Sequence, residues 1–214
     1  QRQMCIRDST INNMKEIPKI KYIITLDSDT NLILNSAFEL IGTMEHILNK
    51  PILKGGVVIE GHGIIQPKVG IDLKEAEKSW FSRIFAGSAG TDLYTNAISD
   101  FYQDNFGEGI FTGKGIYELN TFYNVMKNAI PEYTVLSHDL LEGSYLRCGL
   151  ATDVLLMDGY PSKFMSFTTR QNRWIRGDWQ ICNWLCKNIR NEKNERIRNP
   201  INKLSKYKIF DNLR

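Results

Sequence analysis

Two carboxylates at alternate positions, Asp27 and Asp29 in LDSDT, are the first residues of the chain whose types and spacing point to chemistry. On an extended strand both project the same way, so they can share a hard divalent cation through oxygen; without a cation they repel one another. A solvated acidic turn closing a strand has the same spelling, but the run YIITLD just before it is the buried strand that a metal site needs. Further along, His138 and Asp139 stand at a helix start with Glu142 one turn on. They offer a general base or a carboxylate pair, and Ser137 or Asp139 serves equally as a simple helix cap. The stretch RQNRWIRGDWQ puts Arg170, Arg173, Trp174 and Gly177 at spacings of three and four, on one helical face. Two guanidinium groups can grip a diphosphate through forked hydrogen bonds, while an indole offers a flat apolar face to a sugar ring. A basic helix face lying on a membrane has the same pattern.

The glycine-rich GEGIFTGKG invites comparison with a phosphate-binding loop, and the comparison fails. Gly109 and Gly113 are four positions apart rather than five, and Gly115 stands where Ser or Thr would meet magnesium. What remains is a loop whose backbone a bulky substrate can approach closely, or an ordinary surface turn.

Positioning these groups takes a scaffold, and its elements are legible as patterns. KIKYIITLDSDT is a β-branched run ending in acids, which predicts a buried strand that delivers polar side chains at its carboxyl end. Ser36 can cap a helix whose apolar positions are Phe38, Leu40, Ile41, Met44, Ile47 and Leu48, up to a break at Pro51. GGVVIEGHGIIQPKV gives two short apolar runs hinged on glycines, paired strands or one bent strand. A mostly helical pattern runs from Leu73 to about Tyr102, LNTFYNVMKNAI is helical up to Pro131, and ATDVLLM is a further strand. From Pro161 onward SKFMSFTTRQNRWIRGDWQICNWLCKNI predicts one long amphipathic helix. Alternating strands and helices argue for an α/β domain with a mostly parallel sheet flanked by helices. The acidic strand end arrives too early for a complete nucleotide-binding domain, so the amino-terminal nucleotide-binding half is expected to be missing. QRQMCIRDS, residues 1–9, shares no periodicity with the residues after it and reads as an artefact or a disordered start.

Composition narrows the function classes. With 214 residues and 42% hydrophobic content the chain can bury one core. A net charge of +3, from 27 Lys and Arg against 24 Asp and Glu, argues against nucleic acid as a partner, and the basic excess gathers after Arg170. The four cysteines, Cys5, Cys148, Cys182 and Cys186, form no CxxC pair. Cys182 and Cys186 are one helical turn apart and read as two buried thiols in a reducing compartment. No apolar run approaches the ~18 residues of a membrane span, and no signal peptide is visible.

Four segments, LDSDT, GIFTGKG, SHDLLEG and RQNRW, succeed one another in the order seen in processive family-two-like glycosyltransferases. HDLLEG, DGYPSKFMSFTTRQNRWIRGDWQ and the ending NPINKLSKYKIFDNLR resemble most closely the glycosyltransferase domain of cyclic β-1,2-glucan synthases, over nearly everything from Tyr22 to Arg214. The resemblance implies a partial GT-A-like (Rossmann-like) domain over residues 10–198 that transfers glucose from UDP-glucose to a growing β-glucan acceptor with inversion. It implies that Asp27 lies near the nucleoside diphosphate and that Asp29, with Asp27, holds Mg²⁺ or Mn²⁺. Asp139 would be the base, Arg173 would hold the diphosphate, Trp174 would stack on the terminal acceptor sugar, and Thr112 and Gly113 would line the acceptor entrance. Arg170 stands where the family has Gln, with Gln171 displaced by one, and His138 replaces the Glu before Asp139. Arg170 is expected to bind phosphate. Residues 199–214 mix Ile201, Leu204, Ile209, Phe210 and Leu213 with Lys203, Lys206, Lys208 and Arg214, the composition of an interfacial helix leading to transmembrane helices outside this chain. The expected setting is the cytosolic face of the bacterial inner membrane, within an integral membrane protein that has other domains. The rivals are the same scaffold building another polysaccharide, cellulose-like or chitin-like, and a non-catalytic membrane-associated binding module.

Overall fold

The computed structural model describes residues 19–86, 101–131 and 133–214; the opening residues 1–9 lie outside them, as does part of the stretch between Leu73 and Tyr102. Its elements are β1 (Tyr22–Thr25), β2 (Thr30–Leu32), α1 (Ser36–Glu45), β3 (Ile52–Lys54), β4 (Val57–Glu60), β5 (Ile64–Ile71), α2 (Leu73–Ala76), α3 (Trp80–Phe85) and α4 (Phe101–Phe106). They continue with β6 (Gly115–Glu118), α5 (Leu119–Met126), α6 (Asp139–Leu146), β7 (Cys148–Asp158), α7 (Phe164–Gln180), β8 (Asn188–Arg190), β9 (Arg196–Arg198) and α8 (Lys203–Leu213). Short 3₁₀ turns cover Ile47–Asn49 and Ile181–Leu185.

Five strands form the main sheet in the order β1-β6-β5-β7-β2. Among the described residues only β5 and β7 pair in parallel; β1 with β6, β5 with β6, and β2 with β7 are antiparallel. The mostly parallel sheet expected from strand and helix alternation is therefore a mixed one. Alternation does not reveal where the chain reverses, and here it reverses tightly between β1 and β2, where the Thr30 amide donates to the Asp27 carbonyl at 3.1 Å. The pairings still leave β1, β5 and β7 running the same way. Their carboxyl ends share one edge of the sheet, where open α/β sheets bind ligands.

Successive residues face opposite sides of the sheet, so Ile65 and Ile116 pack with Leu40 and Met44 of α1, whereas Ile64 and Tyr117 join the larger core under Leu141, Tyr145 and Leu146 of α6. Phe38, Ile47 and Leu48, the other apolar positions of the first helical pattern, are exposed. Ser36 does not cap α1. Asn35 is the capping residue, in the left-handed region at φ 71°, and the Ser36 hydroxyl instead donates to the Leu155 carbonyl at 3.0 Å. The two glycine-hinged runs are separate strands with separate partners, β4 on β3 and β5 in the main sheet.

The long helix expected after Pro161 stops at Gln180, because Trp184 and Ile189 turn into the core and the chain becomes the β8–β9 hairpin. The indole of Trp184 donates to the buried Tyr145 hydroxyl at 3.2 Å. Cys186 lies beyond the 3₁₀ turn and is exposed, so the pair of buried thiols is not formed.

α8 docks on the same core. Ile201 and Ile209 are buried, and Leu204 and Leu213 pack against them, so four of the five apolar residues assigned to lipid face protein; Phe210 and Tyr207 remain exposed. Lys208, also read as a membrane cation, is 4% exposed; it donates to Glu108 Oε1 at 3.2 Å and to the carbonyls of Glu108 and Gly109 at 3.2 and 2.9 Å. Removing Lys208 leaves the buried Glu108 carboxylate with Arg147 Nε, at 3.7 Å, as its remaining ion-pair partner among the described residues. Lys208→Ala should destabilise the fold by about 3–5 kcal/mol, and denaturant unfolding of wild type and variant measures it.

Candidate active site

The turn that joins β1 to β2 carries Asp27, Ser28 and Asp29 to the carboxyl-end edge of the sheet, and β7 brings Asp158 to the same edge because Thr30 and Asp158 are register partners. The Gly159 amide donates to the Asp29 carbonyl at 3.0 Å, and the Thr30 hydroxyl donates to the Asp158 carboxylate. Asp158 is buried and Asp29 is exposed. Between the acids lies a cation that the sequence pattern did not single out. The Lys114 ammonium is 2.7 Å from Asp158 Oδ2 and 3.2 Å from Asp27 Oδ2, with its side chain 12% exposed. Burial pulls this ammonium down, but Asp158 and Asp27 outweigh it and hold Lys114 above the usual lysine value.

Local backbone explains why Lys114 sits between two glycines. Gly115 has φ +155°, and a Cβ there would lie 2.2 Å from the Ile65 carbonyl oxygen. Gly113 has φ +95°, and a Cβ would lie 2.9 Å from Asp139 Oδ2, so the loop passes directly over that carboxylate. Just before them, the amide and hydroxyl of Thr112 both donate to Oε1 of the fully buried Gln66, at 3.0 and 3.2 Å.

Asp139 opens α6, half-buried, with the Ser137 hydroxyl donating to its Oδ2 at 3.2 Å. No carboxylate pair forms with Glu142. That side chain points inward, accepting from the Tyr117 hydroxyl at 2.9 Å and meeting His138 Nδ1 at 2.9 Å, so it links α6 to β6 and holds the imidazole. His138 is the capping residue by position but makes no side-chain cap bond. α7 approaches this corner closely because Gly177 lacks a side chain. A Cβ there would meet Ser137 Cβ at 3.2 Å, and Gln180 Oε1 accepts from the Leu136 amide at 2.7 Å.

The face expected on α7 is present. Arg173 is exposed, and the Arg170 guanidinium lies between Tyr160 and Trp174, 5.8 and 5.0 Å from their ring centres. Nε and Nη2 of Arg170 are buried with no hydrogen-bond partner among the described residues. Burial lowers its pKa, opposed by the charges of Asp29, Tyr160 and Asp158, and an arginine so placed remains a cation. Asp27, Asp29, Thr112, Asp139, Arg170, Arg173 and Trp174 all line one open cleft of about 900 Å³. Gly113 is buried at its wall against Asp139.

The chain is similar to the cyclic beta-(1,2)-glucan synthase NdvB of Rhizobium meliloti (strain 1021), 42% identical over 198 residues. It is related to one segment of that synthase. The match takes in 91% of this chain and 7% of NdvB, so the chain spans a small fraction of its relative's length. No family model matches. Among the described residues no helix is long and apolar enough to cross a membrane.

The relation to NdvB leaves the metal question to the residues themselves. Among the described residues no three His, Cys, Asp or Glu side chains cluster as a protein-only metal cage. Lys114 already pairs with Asp27 and Asp158, whereas Asp29 has no ion pair among the described residues. One or two carboxylates completed by substrate phosphates are a usual setting for Mg²⁺, and this donor set fits that arrangement.

Lys114, Asp158 and Asp178, charged residues of this cleft, escaped the sequence pattern. Only Lys114 left a signal, its place between two glycines. Burial raises Asp178 above the ordinary Asp value of 3.8, with a hydrogen bond to Asn212 of α8 pulling the other way. The folded chain then keeps this proton where the unfolded chain has released it, so the site costs nothing below 3.8 and costs stability as pH rises through the raised value. Asp178→Asn should raise stability at neutral pH and flatten that decline, measured by unfolding of both proteins from acid to neutral pH.

Proposed function

We propose that this cleft belongs to an inverting, processive glycosyltransferase that moves glucose from UDP-glucose to the terminal hydroxyl of a growing β-glucan, in a partial GT-A-like domain. One observation carries this reading: Asp139 shares a cleft with the acids after β1 and with Arg173 and Trp174 on α7. Similarity to a protein named as a cyclic beta-(1,2)-glucan synthase supports glucose as the sugar and β-1,2 as the linkage. The chain would act as part of a larger polypeptide at the cytosolic face of the bacterial inner membrane. Exposed Tyr207 and Phe210 on α8, together with exposed Arg196 and Arg198 on β9, support contact with an anionic lipid surface.

In this mechanism Asp139 takes the proton of the acceptor hydroxyl through a carboxylate oxygen. The acceptor oxygen then attacks the anomeric carbon from the side opposite the diphosphate. The new C–O bond forms as the bond to the diphosphate oxygen breaks, and UDP leaves with the electron pair. One displacement inverts the anomeric centre and needs one base, so no enzyme nucleophile is required. Arg173 holds the departing diphosphate and Trp174 stacks on the acceptor's terminal sugar. Arg170 keeps that indole in place and adds positive charge on the diphosphate side of the cleft. Thr112, fixed by Gln66, and Gly113 shape the acceptor entrance. Asp29 would hold a divalent ion, Mg²⁺ or Mn²⁺, that would supply positive charge to the leaving diphosphate, with Asp27, paired to Lys114, beside it.

Asp139→Asn in the full-length protein should lower transfer of radiolabelled glucose by about 10²–10⁴-fold while UDP binding changes little, because a base is lost and ground-state contacts are kept. Equal loss of binding and turnover would contradict the assignment of Asp139 as base.

A further inference from the structure

The Gly113-Lys114-Gly115 segment touches both ends of the cleft. On one side the Lys114 ammonium joins Asp27, at the turn after β1, to Asp158, at the end of β7. On the other side Gly113 lies over the Asp139 carboxylate, at a distance that no larger residue could keep. Gly115 is packed on the β5 backbone at Ile65, which leaves the segment little freedom to shift. Burying an ammonium costs several kcal/mol unless opposite charges repay it, and this one is met by two carboxylates, one of them buried itself.

We propose that Lys114 is the positioning residue of the donor site, its ammonium holding Asp27 and Asp158 together so that Asp29 is the carboxylate left to meet a divalent ion, in fixed register with Asp139. The inference rests on the glycosyltransferase reading and adds a residue to it. The physical reason lies in charge. Asp27, Asp29 and Asp158 crowd one edge of the sheet, and without an internal cation a divalent ion is drawn toward Asp27 and Asp158, away from the diphosphate. With Lys114 in place those two acids are already compensated, so an ion binds well only when nucleotide phosphates complete its ligands. Lys114 thus trades metal affinity in the empty site for metal placement in the loaded one.

The test compares wild type, Lys114→Met, Lys114→Arg and the double variant Lys114→Met/Asp158→Asn, all in the full-length protein. Two readouts are taken: Mn²⁺ binding without nucleotide, by electron paramagnetic resonance, and kcat and KM for UDP-glucose. Lys114→Met should bind nucleotide-free Mn²⁺ about tenfold more tightly, since a positive charge beside two carboxylates has gone. Its kcat/KM should fall about 100-fold, the scale of a reacting group misplaced by about 1 Å, with most of the loss in kcat. Lys114→Arg keeps the charge and should stay within about tenfold of wild type in both readouts. The double variant leaves no unpaired buried carboxylate at Asp158, so it carries the turnover test if Lys114→Met fails to fold, and it should remain slow. Wild-type turnover by Lys114→Met or by the double variant overturns the positioning role, as does a loss in Lys114→Arg equal to that in Lys114→Met. Looser Mn²⁺ binding by a folded Lys114→Met also overturns it. Absence of glucose transfer by the wild type overturns the glycosyltransferase reading and this inference together, whereas wild-type transfer with an unaffected Lys114→Met overturns this inference alone.

Discussion

Residues 26–29 join two strands that lie at opposite edges of a five-stranded sheet. In a flat sheet those edges are about 19 Å apart, four intervals of about 4.8 Å. The five steps from Thr25 to Thr30 reach about 17 Å when fully extended, and here they contain a tight turn. The sheet must therefore curl until its two edges approach one another. That one short link delivers Asp27 and Asp29 between β1 and β2, and the register of β2 on β7 sets Asp158 next to them.

Bringing three acids together creates a repulsion that the remaining features answer. Lys114 enters from the loop before β6, and the flanking glycines are what let the backbone pass between Ile65 and Asp139. Arg170 comes from the other side, held between Tyr160 and Trp174. Gly177 lets α7 close on the residues before α6, so Asp139 and the arginine helix form one wall. α8 braces both parts from beneath: Lys208 holds the Glu108 end of the loop and Asn212 bonds to Asp178 on α7. The cleft is thus a product of charge compensation and close backbone approach, with the apolar core serving to hold the elements that supply them.

Much of this was legible from local pattern. The β-branched run ending in LDSDT, the i, i+3, i+4 spacing of Arg170, Arg173 and Trp174, and the start of α6 at Asp139 each come from short-range stereochemistry, and all three reach the cleft, although the first is a half-exposed edge strand and not the buried strand expected. Long-range pairing was not legible. Nothing in the residues of β1 or β6 states that they run antiparallel, and the reversal between Asp27 and Thr30 looks in sequence like a simple loop. Charge partners were hidden for the same reason, since Lys114 and Asp158 are far apart in the chain and meet only through the sheet. The amphipathic pattern of residues 199–214 is genuine, but a helix docked on a protein core and a helix lying on lipid share it; Ile209, fully buried, shows which surface its apolar face has met.

The central claim is that the acids after β1 receive a nucleotide diphosphate in the cleft that also holds Asp139. Cryo-electron microscopy of the full-length protein with UDP and Mn²⁺ tests it most directly. The account predicts the ion at Asp29, shared with the diphosphate, and the diphosphate within reach of Arg173 on the cleft wall. Nucleotide bound outside the cleft, or an ion held by other residues with Asp29 facing solvent, would contradict it.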